Sequence, residues 1–211
     1  PPSERLVQSL VVLKKLQDKK YVALRAKEIG RIHRERLLRH GFIKPVIKGW
    51  YIPSRPDEPA GESTSWYASF WAFCASYLEA RFKTKWCLNP EQSINLLIEN
   101  WNVPRQLLVR SPKGGNKPIG LLYDTSIFDL RLELPPAADT EIKNGIRIYK
   151  LAVALMSCSQ QHFIAHPAEM RTALAMMQDS SEILDRLLAG GHSKVAGRLA
   201  GAFRNIGRAR I

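Results

Sequence analysis

Two short helix-forming runs meet at Gly30, and the second stops at Gly41 just before two strand-forming runs; nothing else in the chain restricts its fold as much. Residues 24–29 and 31–40 are rich in helix formers, and a glycine between two such runs lets the backbone reverse tightly while the helices cross steeply. Gly41 is placed to cap the second helix at its C-terminal end. Residues 42–46 and 50–53 then read as strands around Lys48-Gly49, a hairpin. Upstream, Leu6, Leu10, Leu13 and Leu16, with Val7 and Val11 alongside, recur at helical spacing over residues 3–19. Ser3 suits the N-cap of that helix, and Lys19 and Lys20 suit the negative end of its dipole. Three helices followed by a hairpin predict a winged helix-turn-helix over residues 1–55.

Within that module, Ile29, Ile32, Leu37 and Leu38 are expected to seat the second of the paired helices on the first. The same helix would then display Arg31, His33, Arg34, Arg36 and Arg39. Arginine suits a DNA major groove because its planar fork can bond guanine O6 and N7 together. The hairpin would be the wing, with Lys44 and Lys48 meeting the flanking phosphates. Arginines on a short helix can equally be a solvated face, and winged helices also bind proteins. The charge distribution decides between these readings. Residues 1–55 hold 14 Lys/Arg against 4 Asp/Glu, residues 56–193 hold 13 against 15, and residues 194–211 hold five basic residues and no acid. Basic charge gathered on one small module is the footprint expected for a polyanion. An anionic membrane would also suit it, but no lipid-facing amphipathic segment accompanies the module.

Residues 54–61, SRPDEPAG, form a proline-rich breaker and mark the expected domain boundary. Beyond it, residues 62–211 read as an α+β domain ending in helices. A nearly all-apolar aromatic helix, residues 63–82, carries Trp66, Phe70, Phe73 and Tyr77 and should be that domain's buried centre, capped by Ser63 or Thr64. Residues 86–88, 107–110, 121–123, 127–134 and 146–149 read as strands, and residues 90–101, 151–166, 167–178 and 180–189 as helices. Residues 111–118 read as a loop. No run approaches the length of about 20 apolar residues that crosses a bilayer. Cys74, Cys87 and Cys158 are odd in number and widely spaced, which reads as free buried thiols in a reducing cytoplasm. The first residues lack a starting Met and any signal-peptide pattern, so the natural beginning is expected to lie further upstream.

No catalytic constellation emerges, and neither a metal nor another cofactor is expected. His162 and His166 have the spacing of two helical metal ligands, but the Glu of a zinc hydrolase is replaced by Gln161-His162-Phe163. Gly114-Gly115-Asn116-Lys117 lacks Walker spacing and reads as a surface turn. Asp129, Arg131 and Glu133 alternate onto one strand face and are expected to be solvated and cross-paired; Asp124 lies nearby. The basic tail, residues 193–211, is either a second phosphate contact or an amphipathic helix docked through Val195, Leu199, Phe203 and Ile206, and the spacing favours docking. It stops mid-pattern, as though the natural protein continues.

The hairpin phrase IKPVIKGWYIP, residues 43–53, directly after the paired helices, resembles the wing of AbiEi-type antitoxins, the antitoxin halves of type IV toxin–antitoxin systems. The later order is also similar to that family: an aromatic helix, then SINLLIE at 93–99, then VPRQLLV at 103–109. The resemblance implies a bacterial cytoplasmic regulator that binds operator double-stranded DNA and represses its own operon, with a toxin protein as a further partner. It places Arg31, Arg34 and Arg36 on the recognition helix, and Lys48, Gly49 and Tyr51 on the wing. A single module reads few base pairs, so a homodimer or a second contact is expected, although no zipper pattern supplies it. The tail VAGRLAGAFRNIGR, residues 195–208, is similar to stretches just ahead of Fic domains. The alternative reading is therefore the regulatory N-terminal region of a Fic-type AMP-transferring protein. The Fic signature loop is absent from these residues, so that catalytic domain would lie beyond Ile211. A third reading is an enzyme acting on nucleotides through a site the sequence does not reveal.

Overall fold

The computed structural model describes residues 2–19, 22–59, 61–178, 181–190 and 193–207. It is a mixed α+β protein that divides into two compact units. The first comprises Pro1–Thr84, Val103–Gln106 and Lys117–Phe128; the second comprises Lys85–Asn102, Leu107–Asn116 and Asp129–Ile211. The division does not fall at the proline-rich segment, because the aromatic helix belongs to the first unit.

The first unit opens with helix α1 (Pro2–Asp18), strand β1 (Leu24–Arg25), helix α2 (Ala26–Ile29) and helix α3 (Arg31–Arg39). Ser3 thus lies inside α1 and does not cap it, and Lys20 lies outside the described residues. Gly30 ends α2 and opens α3 at φ +81°, backbone that an L side chain rarely adopts, which is why a glycine stands there. Strands β2 (Ile43–Ile47) and β3 (Trp50–Pro53) form the expected hairpin, and β1 adds to its far side, giving an antiparallel order β1-β3-β2. Leu24 faces Tyr51 and Arg25 faces Trp50 across β1 and β3. Residues 24–25 were expected to be helical. They instead extend and pair with β3, and the Ala26 amide donates to the Gly49 carbonyl at 2.9 Å, so the hairpin tip fixes where α2 begins.

Leu13, Leu24, Ile29, Leu37 and Ile43 form the core of this part, with Leu10, Leu16, Leu38, Phe42 and Tyr51 packed around it. Fully burying such a side chain is worth about 1.5–3 kcal/mol. Helix α4 (Thr64–Phe82) buries Trp66, Phe70, Phe73, Cys74, Leu78 and Phe82. No side chain of Ser63 caps it; the Glu62 carboxylate accepts from the Thr64 amide at 3.0 Å instead. Its aromatic rings meet edge to face, Trp66 with Phe73 at 5.4 Å and Trp50 of the hairpin with Tyr77 at 5.5 Å, so α4 is seated on β3. The Trp66 indole N–H donates to Thr125 Oγ1 at 3.1 Å, which satisfies its only polar atom. Strand β6 (Pro118–Gly120) pairs antiparallel with β7 (Ser126–Arg131), and Tyr123 and Asp124 between them take positive φ values of 49° and 55°. Residues 121–123, expected to be a strand, are therefore turn, and the strand lies three residues earlier.

The second unit contains β4 (Cys87–Leu88), α5 (Pro90–Leu97), all of β5 (Gln106–Ser111) but its first residue, the hairpin β8 (Thr140–Lys143) and β9 (Ile146–Tyr149), and helices α6 (Leu151–Ser157), α7 (Gln160–Ala165), α8 (Pro167–Met176), α9 (Ser181–Gly190) and α10 (Ser193–Asn205). Strand β4 pairs with β5, Cys87 opposite Arg110. Asn89 caps α5 by accepting from the Gln92 amide, and Pro90 begins the helix, an efficient start signal. Ser93 is buried, donates to Asn89 O at 2.8 Å and accepts from the Tyr149 amide at 3.1 Å, tying α5 to β9. The single helix expected over residues 151–166 is broken at Cys158. Ser159 there caps α7 by accepting from the His162 amide.

Candidate nucleic-acid interface

Helix α3 sorts its side chains by angular position. Leu37 is fully buried, and Ile29, which sequence spacing places on the same stripe, belongs to α2 across the Gly30 break. The face opposite Leu37 carries Arg31, Ile32, Glu35 and Arg39, all exposed. Ile32 was expected to point inward; it is 63% exposed. The Arg31 side chain is 83% exposed, and its Nε donates to Glu35 Oε1 at 2.9 Å. That hydrogen bond, with the nearby guanidinium charge, holds the Glu35 carboxyl below the usual carboxylate range.

The other predicted residues of α3 are engaged with α1. Ser9 Oγ donates to the Arg5 carbonyl at 3.1 Å and stands 3.0 Å from His33 Nδ1. A hydroxyl has one hydrogen, so the arrangement assigns the donor role at this contact to His33 Nδ1–H. Arg36 Nη1 donates to the same Arg5 carbonyl at 3.1 Å. Arg34 is half-buried. His33 and Arg36 therefore lock α3 against α1, while Arg31 and Arg39 project away. The angular spacing shows why five side chains at 31, 33, 34, 36 and 39 do not share a face: they surround the helix.

On the hairpin, Lys48 is exposed at the tip, beside Gly49 at φ +81°. Tyr51 packs on the core and does not project. Lys44 is not displayed as a phosphate contact. Its ammonium donates to Tyr123 Oη at 3.1 Å, stands 3.2 Å from Glu58 Oε2, and its side chain is only 26% exposed. Tyr123 Oη in turn donates to the Glu62 carbonyl. Burial works against the Lys44 charge, yet the Tyr123 hydroxyl and the Glu58 carboxylate outweigh it and raise its pKa. The Ser65 hydroxyl, donating to Glu58 Oε1 at 2.7 Å, holds the Glu58 carboxyl below the usual range; burial opposes this and Lys44 adds to it.

A carboxyl whose folded pKa is depressed stabilises the fold fully above its unfolded value, and the gain is lost as pH falls through the folded value. Melting temperature followed from about pH 7 to about pH 3 should therefore drop on acidification below the ordinary Glu value of 4.5. Glu58→Gln should start lower and show a shallower acid limb. An unchanged acid limb in that variant would show that Glu58 is not one of the groups responsible.

Other candidate chemistry does not converge. Among the described residues no group of three or more His, Cys, Asp or Glu is arranged to hold a metal ion. The His162 and His166 rings lie 4.4 Å apart, tilted by 33° to one another, and burial, followed by the neighbouring His166, lowers the His162 pKa. Asp129, expected on a solvated face, is buried, while Arg131 and Glu133 are exposed. All three cysteines are free and buried. Burial pushes Cys87 up to about 11 against the opposing Arg110 charge, and raises Cys74 and Cys158 as well, so none is poised as a thiolate nucleophile. The tail forms α10, docked through Leu199 and Phe203, with Arg204 exposed; Arg208 and Arg210 lie outside the described residues. Among the described residues no helix is long and apolar enough to cross a membrane. No model of a known protein family matches the chain, and no curated protein matches its sequence.

Proposed function

We propose that residues 1–55 are a winged helix-turn-helix that binds double-stranded DNA, and that the protein is a transcriptional regulator of antitoxin type. The observation that carries the reading is the exposed face of α3, where Arg31 and Arg39 project from a module holding 14 basic and 4 acidic residues. Helix α3 is the recognition helix and is held rigidly by the His33 and Arg36 contacts to α1. The exposed Lys48 at the hairpin tip meets the phosphate backbone, which positions the helix without reading sequence. Ile32 supplies an apolar contact of the kind thymine methyl groups accept, and the Arg31–Glu35 pair pre-orients a guanidinium fork. On this reading a homodimer doubles the base pairs read, and a toxin protein is the further partner.

The test is titration of labelled duplex DNA from upstream of the coding region with the full chain, at two salt concentrations. Affinity should fall with added salt, because each neutralised phosphate releases counterions. Arg31→Ala should lower affinity for the preferred sequence by about 1–3 kcal/mol, and Lys48→Ala should weaken all sequences alike and reduce the salt slope by about 1. Salt-independent binding, or Arg31→Ala and Arg39→Ala variants that bind as the parent does, would refute the recognition-helix assignment.

A further inference from the structure

The second unit carries a groove that has no part in the DNA reading and does not rest on it. Helices α7, α8 and α10 line this open groove, whose volume is about 400 Å3. Its walls are apolar, from Phe163, Ile164, Met170, Leu174 and Ile206, and Ile164 is 64% exposed although it sits at the groove. Along the α10 side lie Gly197 and Gly201, one helical turn apart. A Cβ built on either glycine would meet nothing within 4 Å. Glycine inside a helix is disfavoured relative to alanine. No close approach within the described residues explains two of them on one stripe of α10. They leave the backbone bare on the groove side, where another backbone can come close.

Among the described residues, the charges lining the groove have one sign: Arg171 and Arg198 line it, and no carboxylate does. Arg198 is fixed, with Nη2 donating to the Met156 carbonyl at 3.0 Å and its guanidinium 5.2 Å over the Phe163 ring. Its Nε is buried without a hydrogen-bond partner. What favours an entering carboxylate is the positive charge of the Arg171 and Arg198 guanidinium groups lining the groove.

We propose that this groove docks an acidic amphipathic helix of a protein partner. Apolar residues at helical spacing fill the cavity, the helix backbone lies over Gly197 and Gly201, and flanking Asp or Glu residues meet Arg171 and Arg198. This is helix-in-groove recognition. The bare backbone stripe favours a helix over a small acyl chain, which would gain nothing from it.

The experiment is selection of a displayed library of helix-biased peptides of about 16 residues against the full chain, followed by affinity measurement on variants. Enriched peptides should carry apolar residues at i, i+4 and i+7 flanked by Asp or Glu. Gly201→Leu, whose side chain enters open space and blocks the groove, should weaken them about tenfold or more, a loss of about 1.4 kcal/mol. Arg171→Glu, on an exposed position, should do the same and keeps the test alive if Gly201→Leu does not fold. Enrichment of basic or aperiodic peptides, or affinities unchanged by both variants, would overturn the proposal. So would dodecanoate binding in the groove with no peptide enriched at all.

Discussion

Leu37→Ala is expected to lower stability by about 2–5 kcal/mol and, on the proposed reading of α3, to take duplex binding down with it. Leu37 is the one fully buried side chain of α3, packed in the cluster with Leu13, Leu24, Ile29 and Ile43. Its truncation removes methyl groups from water exclusion and leaves a cavity whose walls come from three helices and two strands. Collapse is hindered because α3 is pinned at Gly30 and through His33 and Arg36. The paired control is Ile32→Ala. That side chain is exposed, so stability should stay within about 0.5 kcal/mol of the parent, while the proposed base contact is lost. Urea unfolding followed by tryptophan fluorescence, alongside the DNA titration, separates the two effects. A Leu37→Ala protein as stable as the parent would mean that α3 is not seated by this residue. An Ile32→Ala protein that loses stability but keeps its affinity would contradict the outward face proposed here.

Ile32 also shows where sequence periodicity fails. Ile29 and Ile32 are three apart and look like one apolar stripe, but Gly30 breaks the helix between them, so the spacing has no angular meaning. Restarting the count at Arg31 puts Leu37 inward and Ile32 nearly opposite, which the sequence could have yielded once the break was taken seriously. The α3 to hairpin order and the aromatic interior of α4 were legible because they rest on local signals: Gly30, Gly41, Lys48-Gly49 and an apolar run. Lys44 was not legible. Its partner Tyr123 lies 79 positions away, and no local pattern encodes that pairing.

Two other differences have local causes that were present in the residues. Strand β8 went unread, although Asn144-Gly145 between Ile142 and Ile146 is a strong short-range hairpin signal, and both turn residues take positive φ. The break between α6 and α7 lies at Cys158 and Ser159, the latter a capping residue inside a run whose apolar periodicity alone suggested one helix. Asp129 was placed in solvent because alternation groups it with Arg131 and Glu133. Alternation fixes which residues share a face, but not how far along a strand that face stays covered, and β7 is buried at Asp129 and exposed by Arg131.

Gly114→Ala is the second substitution expected to have a large effect, and its cause is unlike that of Leu37→Ala. A Cβ on Gly114 would stand 2.5 Å from both the carbonyl carbon and oxygen of Leu130, and 2.7 Å from the Arg131 nitrogen. All three are backbone atoms, so no side-chain rotation relieves the clash. The surrounding turn is also tightly bonded: the Gly114 amide donates to the Ser111 carbonyl at 2.9 Å, and the Gly114 carbonyl accepts from Arg131 Nε at 2.9 Å. Asn116 adds a third tie, its Oδ1 accepting from the Arg131 amide at 2.7 Å. Moving the chain aside breaks these bonds; staying in place compresses the backbone. A loss of about 3–5 kcal/mol is expected, at the severe end for a single added methyl group. Gly197→Ala provides the contrast, since a methyl there meets nothing within 4 Å and should stabilise α10 by about 0.5–1 kcal/mol. Thermal melts of the two variants beside the parent would decide the matter: a Gly114→Ala protein that melts with the parent would mean that the turn carrying Gly114 does not lie against β7 as closely as described.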